Sequence, residues 1–214
     1  MALRVFGLTG GIGSGKSAVA QRLRARGLPV VNADELARVA VARGSVGLER
    51  VAEYFGTGVL TPEGELDRAR LARIVFSDPE ARRMLDSMIH PLVRQLAIER
   101  FRDIGELGEP LACYEVPLLF EAGLDRSYQP VLVVSAPLAL REQRLAQRDG
   151  FNPAQIAARI AAQLPLEEKV RRADYVIDNA GTLEELAEAT DAALTALCDA
   201  LAVPVARYPR LPLS

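Results

Sequence analysis

The segment Gly10-Gly11-Ile12-Gly13-Ser14-Gly15-Lys16-Ser17 constrains this chain more than any other. It fits the pattern G-x-x-x-x-G-K-[ST], and its setting fits as well. The apolar run Leu3 to Leu8 reads as a short buried strand. Lys16 to Arg26 has helical spacing, with Val19 and Leu23 on one face and Gly27 placed to end the helix. Glycines let successive backbone N–H groups turn inward on phosphate oxygens, and the following helix offers its N-terminus to the same anion. Lys16 adds a point charge near the β- and γ-phosphates, and the Ser17 hydroxyl is placed to ligate Mg²⁺. The pattern implies binding of a nucleoside triphosphate and leaves its use open.

Further along, strands alternate with helices. Leu28 to Val31 reads as a second strand, and Glu35 to Ala42 as a helix that Asp34 can cap. Leu111 to Val116 reads as a third strand ended by Pro117, Val131 to Ser135 as a fourth, and Tyr175 to Ile177 as a fifth. Helices are predicted over Leu138 to Arg148 and Leu183 to Leu201, with two short helical pieces opened by Pro153 and Pro165. The stretch 44–102 has three helical patterns, Val46–Phe55, Leu66–Phe76 and Pro79–Arg102, and reads as a helical insertion. The expected fold is α/β: a parallel five-stranded sheet of the P-loop type with helices on both faces. Right-handed crossovers then gather the loops after the strands on one edge. The core is expected over 1–43, 103–140 and 173–203, with a lid over 141–172 and an irregular tail over 204–214.

Composition removes several classes of function. The net charge of −2 argues against nucleic-acid binding by bulk charge. His90 is the only histidine, which excludes sites that need several histidine ligands. Cys113 and Cys198 are the only cysteines and form neither a disulfide framework nor a zinc spacing, as expected in a reducing compartment. No apolar run is long enough to cross a membrane or to form a signal-peptide core, so a cytoplasmic protein is expected. Of the 26 basic residues only Lys16 and Lys169 are lysines, which makes each lysine more informative than any single arginine.

No Asn-Lys-x-Asp guanine-reading motif is present around Lys169. A small-molecule kinase instead needs a base near the γ-phosphate, an acceptor pocket and an arginine-bearing lid. Asp34 follows the second strand and is the candidate base; helix N-capping is its competing role, and one carboxylate can serve both. Arg144 and Arg148, four apart on one helical face, can reach the same phosphates, against the plainer reading of a solvated face. Lys169, among Glu167, Glu168 and Arg171, reads as part of an exposed helix. Glu115, near the end of the third strand, either holds Mg²⁺ through water or is structural.

These residues resemble the dephospho-coenzyme A kinase family. The resemblance runs in order through Gly7-Leu8-Thr9-Gly10 to Ser17, Val31-Asn32-Ala33-Asp34, His90-Pro91-Leu92-Val93-Arg94, Val116-Pro117-Leu118-Leu119-Phe120-Glu121, Gln143-Arg144 to Arg148-Asp149, and Val176-Ile177-Asp178-Asn179. It implies ATP-dependent phosphorylation of the ribose 3′-hydroxyl of dephospho-CoA, with no obligate protein partner. By position it implies Asp34 and Lys16 as catalytic residues. Gly10 to Ser17 with Ala18, Arg144, Arg148 and Asn179 would bind ATP, and Thr9, Asp34, His90, Arg94 and Glu121 would serve the acceptor. Against those roles, His90 can be a packed residue at a helix irregularity and Glu121 can simply orient its loop. The family's first acidic position in the segment after the second strand is Asn32 here. Asn keeps a hydrogen-bonding oxygen and loses the charge.

Overall fold

The computed structural model describes residues 2–210. The glycine-rich segment joins strand β1 (Arg4–Gly10) to helix α1 (Lys16–Ala25). Strands β2 (Val30–Asn32), β3 (Leu111–Glu115), β4 (Val131–Ser135) and β5 (Tyr175–Asp178) complete a five-stranded sheet of order β2-β3-β1-β4-β5. The sheet is parallel, with Gly7 opposite Tyr114 on one side of β1 and opposite Val131 on the other. β1 is central, and Phe6, Leu8 and Thr9 are fully buried. A sheet covered on both faces requires such near-continuous apolar strands, and β3 is buried from end to end.

The helices around it are α6 (Leu138–Asp149), α7 (Pro153–Ala161), α8 (Leu166–Arg171) and α9 (Leu183–Ala200). α7 and α9 each open on a capping box, Asn152 with Gln155 and Thr182 with Glu185. Val19, Ala20 and Leu23 of α1 join Leu186, Leu194 and Leu197 of α9 in the same core as Phe6, Leu8, Leu132 and Val134. Gly27, with φ of 84°, ends α1 in open space.

The chain divides into two compact units. One holds the residues up to Val31 and those from Ile104 on, and the other is Asn32–Asp103. The second unit begins earlier than the expected insertion at 44, because it takes in helix α2 (Ala33–Ala40). Ser45 Oγ donates to the Ala40 carbonyl at 2.9 Å and caps α3 (Val46–Phe55) through Leu48 N–H, tying α2 to α3. α4 (Arg68–Ser77) and α5 (Pro79–Glu106) follow, and Val41, Val51, Val59 and Leu71 form a small core of their own. α5 runs unbroken through Pro91. His90 is thus an exposed residue on a continuous helix, 3.8 Å from Asp86, rather than a packed one at a break.

Two expectations need correction. Asn32, not Asp34, caps α2: its Oδ1 accepts from Asp34 N–H at 2.8 Å and Glu35 N–H at 3.1 Å. The helix therefore starts earlier than expected. The tail, expected to be irregular, contains a 3₁₀ turn at Val205–Arg207, and Tyr208 is buried in the main core. The Tyr208 carbonyl accepts from the buried Arg26 guanidinium, which gives the tail a fixed seat. Residues 211–214 of that stretch lie outside the described residues.

Candidate active site

The phosphate loop lies between β1 and α1, and its backbone conformation depends on glycine at several points. Gly13 and Gly15 have φ of 78° and 91°, in the left-handed region that side chains disfavour. Gly10 admits no Cβ, which would fall 2.6 Å from Ser14 Oγ and from the Val134 carbonyl. Ser14 is fully buried, and its hydroxyl has no hydrogen-bond partner among the described residues. Gly15 is the N-cap of α1, and its carbonyl takes the Ala18 and Val19 N–H groups. Ser17 stands exposed in the first turn of that helix.

The loop is held from behind. Arg141 Nε donates to the Ile12 carbonyl at 2.9 Å, and Arg144 reaches the Gly13 carbonyl at 3.5 Å. Asn179 Nδ2 donates to the Ser14 carbonyl at 2.8 Å. Three successive carbonyls of the loop are thus taken by side chains from α6 and the end of β5. Arg144 also donates to Asn179 through its carbonyl (3.2 Å) and Oδ1 (3.4 Å), which fixes the amide's orientation. Gln163 Oε1 accepts the Ile12 N–H at 2.9 Å. Burial pushes the Arg141 guanidinium below its ordinary value, and Glu167 and Glu142 partly offset this.

Lys16 Nζ lies 2.7 Å from Glu115 Oε1 at the end of β3. Arg24 approaches the other oxygen of Glu115 at 3.7 Å. Glu115 is buried, so two cations compensate a charge that water does not reach. Asp34 is exposed in the first turn of α2, directly after β2. Because Asn32 does the capping, the Asp34 carboxylate is not needed for it.

Several candidates sit elsewhere than expected. Thr9 is fully buried and its Oγ1 donates to the Pro117 carbonyl at 3.1 Å, so it braces the β3 exit rather than facing an acceptor. Arg148 is on the same face as Arg144 but turns to Asp149, with bonds of 3.0 and 2.8 Å; the adjacent carboxylate supplies a bidentate partner at once. That hydrogen bond raises the Arg148 pKa and lowers that of Asp149. Only Arg144 of the pair is brought to the loop. Glu121 accepts the Leu164 N–H at 2.9 Å and pairs with Lys169 at 2.8 Å. Lys169, expected on an exposed helix, is fully buried. His90 and Arg94 are both exposed on α5.

The sequence profile of the dephospho-CoA kinases matches residues 4–185, most of the chain. The chain belongs to the dephospho-CoA kinase family. It is 50% identical over 195 residues to the dephospho-CoA kinase of Anaeromyxobacter dehalogenans, covering 91% of this chain and 92% of that protein. A crystal structure from Thermus thermophilus superposes with a TM-score of 0.79 at 41% identity, over 92% of this chain and 99% of that one. The dephospho-CoA kinase of Campylobacter jejuni gives 0.69 at 26% identity, over 92% and 98%. In this member of the dephospho-CoA kinase family, the supports that sequence reasoning missed are Arg141, Gln163 and Lys169. Arg141 and Gln163 bind main-chain atoms of Ile12, which leave no mark in a sequence. Lys169 did carry a signal, as one of two lysines in an arginine-rich chain.

Proposed function

We infer that this chain transfers the γ-phosphoryl group of ATP to the ribose 3′-hydroxyl of dephospho-CoA, giving coenzyme A and ADP in the last step of coenzyme A synthesis. The observation that carries the reading is a phosphate loop whose Ile12, Gly13 and Ser14 carbonyls are held by Arg141, Arg144 and Asn179, in a chain matching the dephospho-CoA kinases over residues 4–185. With those carbonyls engaged, and the Ile12 N–H held by Gln163, the remaining N–H groups of the loop and the α1 N-terminus are left to meet the phosphates.

In this reading, Lys16 exchanges Glu115 for phosphate oxygens and stabilises charge as the bond to the leaving oxygen lengthens. Asp34 takes the proton of the acceptor hydroxyl as the oxygen attacks in line. Arg144 steadies the loop and offers positive charge at its rim, and Asn179 keeps Arg144 and Ser14 in register. Residues 141–172 act as the lid, and the stretch 44–102, with His90 and Arg94 exposed on it, takes the acceptor. The Ser17 hydroxyl and the Glu115 carboxylate are hard oxygen donors flanking Lys16, a set that suits Mg²⁺. Ser17 and Glu115 would hold that ion, whose charge would offset the negative charge of the ATP phosphates. A cytoplasmic setting suits the two buried, unpaired cysteines.

The test is ADP release with Mg-ATP, with and without dephospho-CoA, and location of the new phosphate by mass and ³¹P NMR. Acceptor-dependent release with a 3′-phosphate is the expected result. ATP binding with no stimulation by dephospho-CoA would refute the acceptor and leave the nucleotide site standing.

A further inference from the structure

Lys169 lies in the stretch read as the lid and has no chemical role of its own in the reaction as described, yet it is among the largest fully buried side chains of the protein. A lysine is rarely fully buried unless it is paired. Its Nζ pairs with Glu121 at 2.8 Å and donates to the Pro117 carbonyl at 3.2 Å. The Pro117 carbonyl also accepts from Thr9 Oγ1 at 3.1 Å, and Thr9 immediately precedes the first glycine of the phosphate loop. Glu121 accepts the Leu164 N–H at 2.9 Å, and the neighbouring Gln163 holds the Ile12 N–H inside the loop. The segment 163–169 therefore grips the nucleotide core at both ends: Gln163 on the loop itself, Lys169 on the turn after β3. That turn starts two residues after Glu115, the partner of Lys16.

We propose that Lys169, through Glu121 and the Pro117 carbonyl it shares with Thr9, is a positioning residue that sets the phosphate loop for phosphoryl transfer, with Gln163 as its second anchor. The inference rests on the kinase reading above. The polar network spans the end of β1, the exit of β3 and helix α8 with the residues just before it, the elements that must keep register for Lys16 to meet a phosphate in line. An ion pair is a poor means of stabilisation at a buried site, since apolar residues of the same volume do as well or better there. A small displacement of a reacting group is expensive: about 1 Å can cost roughly 10²-fold in rate.

The experiment compares the wild-type chain with the Lys169→Met and Lys169→Met/Glu121→Gln variants. The readouts are kcat, KM for ATP and for dephospho-CoA, and Tm. Lys169→Met alone leaves Glu121 without its buried cation and should lower Tm. The double variant removes that penalty, so Tm should return close to wild type. The proposal expects kcat of the double variant to remain at least about tenfold down, with KM for dephospho-CoA within about threefold of wild type. Recovery of kcat together with Tm would show a purely structural pair and overturn the proposal. Should the double variant not fold, Gln163→Leu decides. A rise of about fivefold or more in KM for ATP at unchanged Tm supports the two-anchor dock, and an unchanged KM overturns it. Wild-type turnover with dephospho-CoA is the control, because its absence refutes the kinase reading rather than the role of Lys169.

Discussion

Lys16, at the start of α1, meets Glu115, at the end of β3, at 2.7 Å, and the Glu115 carboxylate, which Arg24 also approaches, is buried. Glu115 keeps Arg24 at 3.7 Å when Lys16 is removed, so Lys16→Ala does not strand a buried charge. That variant should lose about 10²–10³ in kcat, the usual effect of deleting one group that meets transition-state charge. ATP affinity should weaken too, while Tm falls by no more than about 5 °C. Steady-state kinetics, calorimetry and thermal melts together check it, and near-normal kinetics would remove Lys16 from the mechanism.

Asn32 and Asp34 stand in different situations at the start of α2. Asn32 satisfies the first N–H groups of the helix, and the Asp34 carboxylate stays exposed. Substituting each should give opposite signatures. Asp34→Asn should keep ATP affinity and stability while kcat falls by about 10²–10⁴, the scale of a general base. Asn32→Ala should cost about 0.5–2 kcal/mol of stability, as lost N-caps do, with a much smaller effect on kcat. Denaturant unfolding beside initial rates separates the two, and an Asp34→Asn enzyme of undiminished rate contradicts the base assignment.

Gly15 and Gly27 have similar positive φ, 91° and 84°, in different surroundings. A Cβ at Gly15 would collide with the Asn179 amide, whereas nothing lies within 4 Å of one at Gly27. Gly27→Ala should therefore show only the left-handed strain, about 1–2 kcal/mol of stability, with ATP affinity intact. Gly15→Ala adds displacement of Asn179, which carries Ser14 and Arg144 with it, and should weaken ATP binding by at least about tenfold, or 1.4 kcal/mol. Equal ATP affinity in the two variants would mean that the Asn179 brace does not shape the loop.

Local signals made most of the fold readable. α3 and β4 occupy Val46–Phe55 and Val131–Ser135 as the pattern of apolar residues predicts, because proline, glycine and periodicity act within a few residues. The α2 cap was not decidable, since Asn and Asp are equally good N-caps and both stand where the helical pattern begins. Lys169 was hidden by its neighbours Glu167, Glu168 and Arg171, which read as a solvated face, while its true partner Glu121 lies far away in the chain. The phosphate loop was legible because glycine spacing is itself the constraint. Its supports were not, because Arg141 and Gln163 bind backbone atoms that any sequence provides. Arg148 shows the converse failure: helical spacing put it on the right face, and the adjacent Asp149 then captured it.

The Asp191 carboxylate on α9 ties that helix to α1, accepting from Arg22 Nε at 3.0 Å and from its terminal nitrogen at 2.7 Å, with Arg26 at 3.2 Å. Burial alone would push its pKa up. The Arg22 hydrogen bonds and the charges of Arg26 and Arg22 outweigh this and hold the carboxyl below its ordinary value. A folded pKa below the unfolded one means that the native state binds fewer protons. The stabilisation is then fully present above the unfolded value of about 3.9 and is lost as pH falls through the folded value. Asp191→Asn should lower the unfolding free energy at pH 7 by about 3–5 kcal/mol, because Arg26 is left buried beside a neutral amide. Toward pH 3 the carboxyl itself begins to neutralise, so the gap between wild type and variant should narrow. Denaturant titrations of both proteins from pH 7 to pH 3 read that gap directly. A gap that stays constant below pH 4 would mean that the carboxylate charge contributes nothing and that Asp191 acts on α1 and α9 through packing alone.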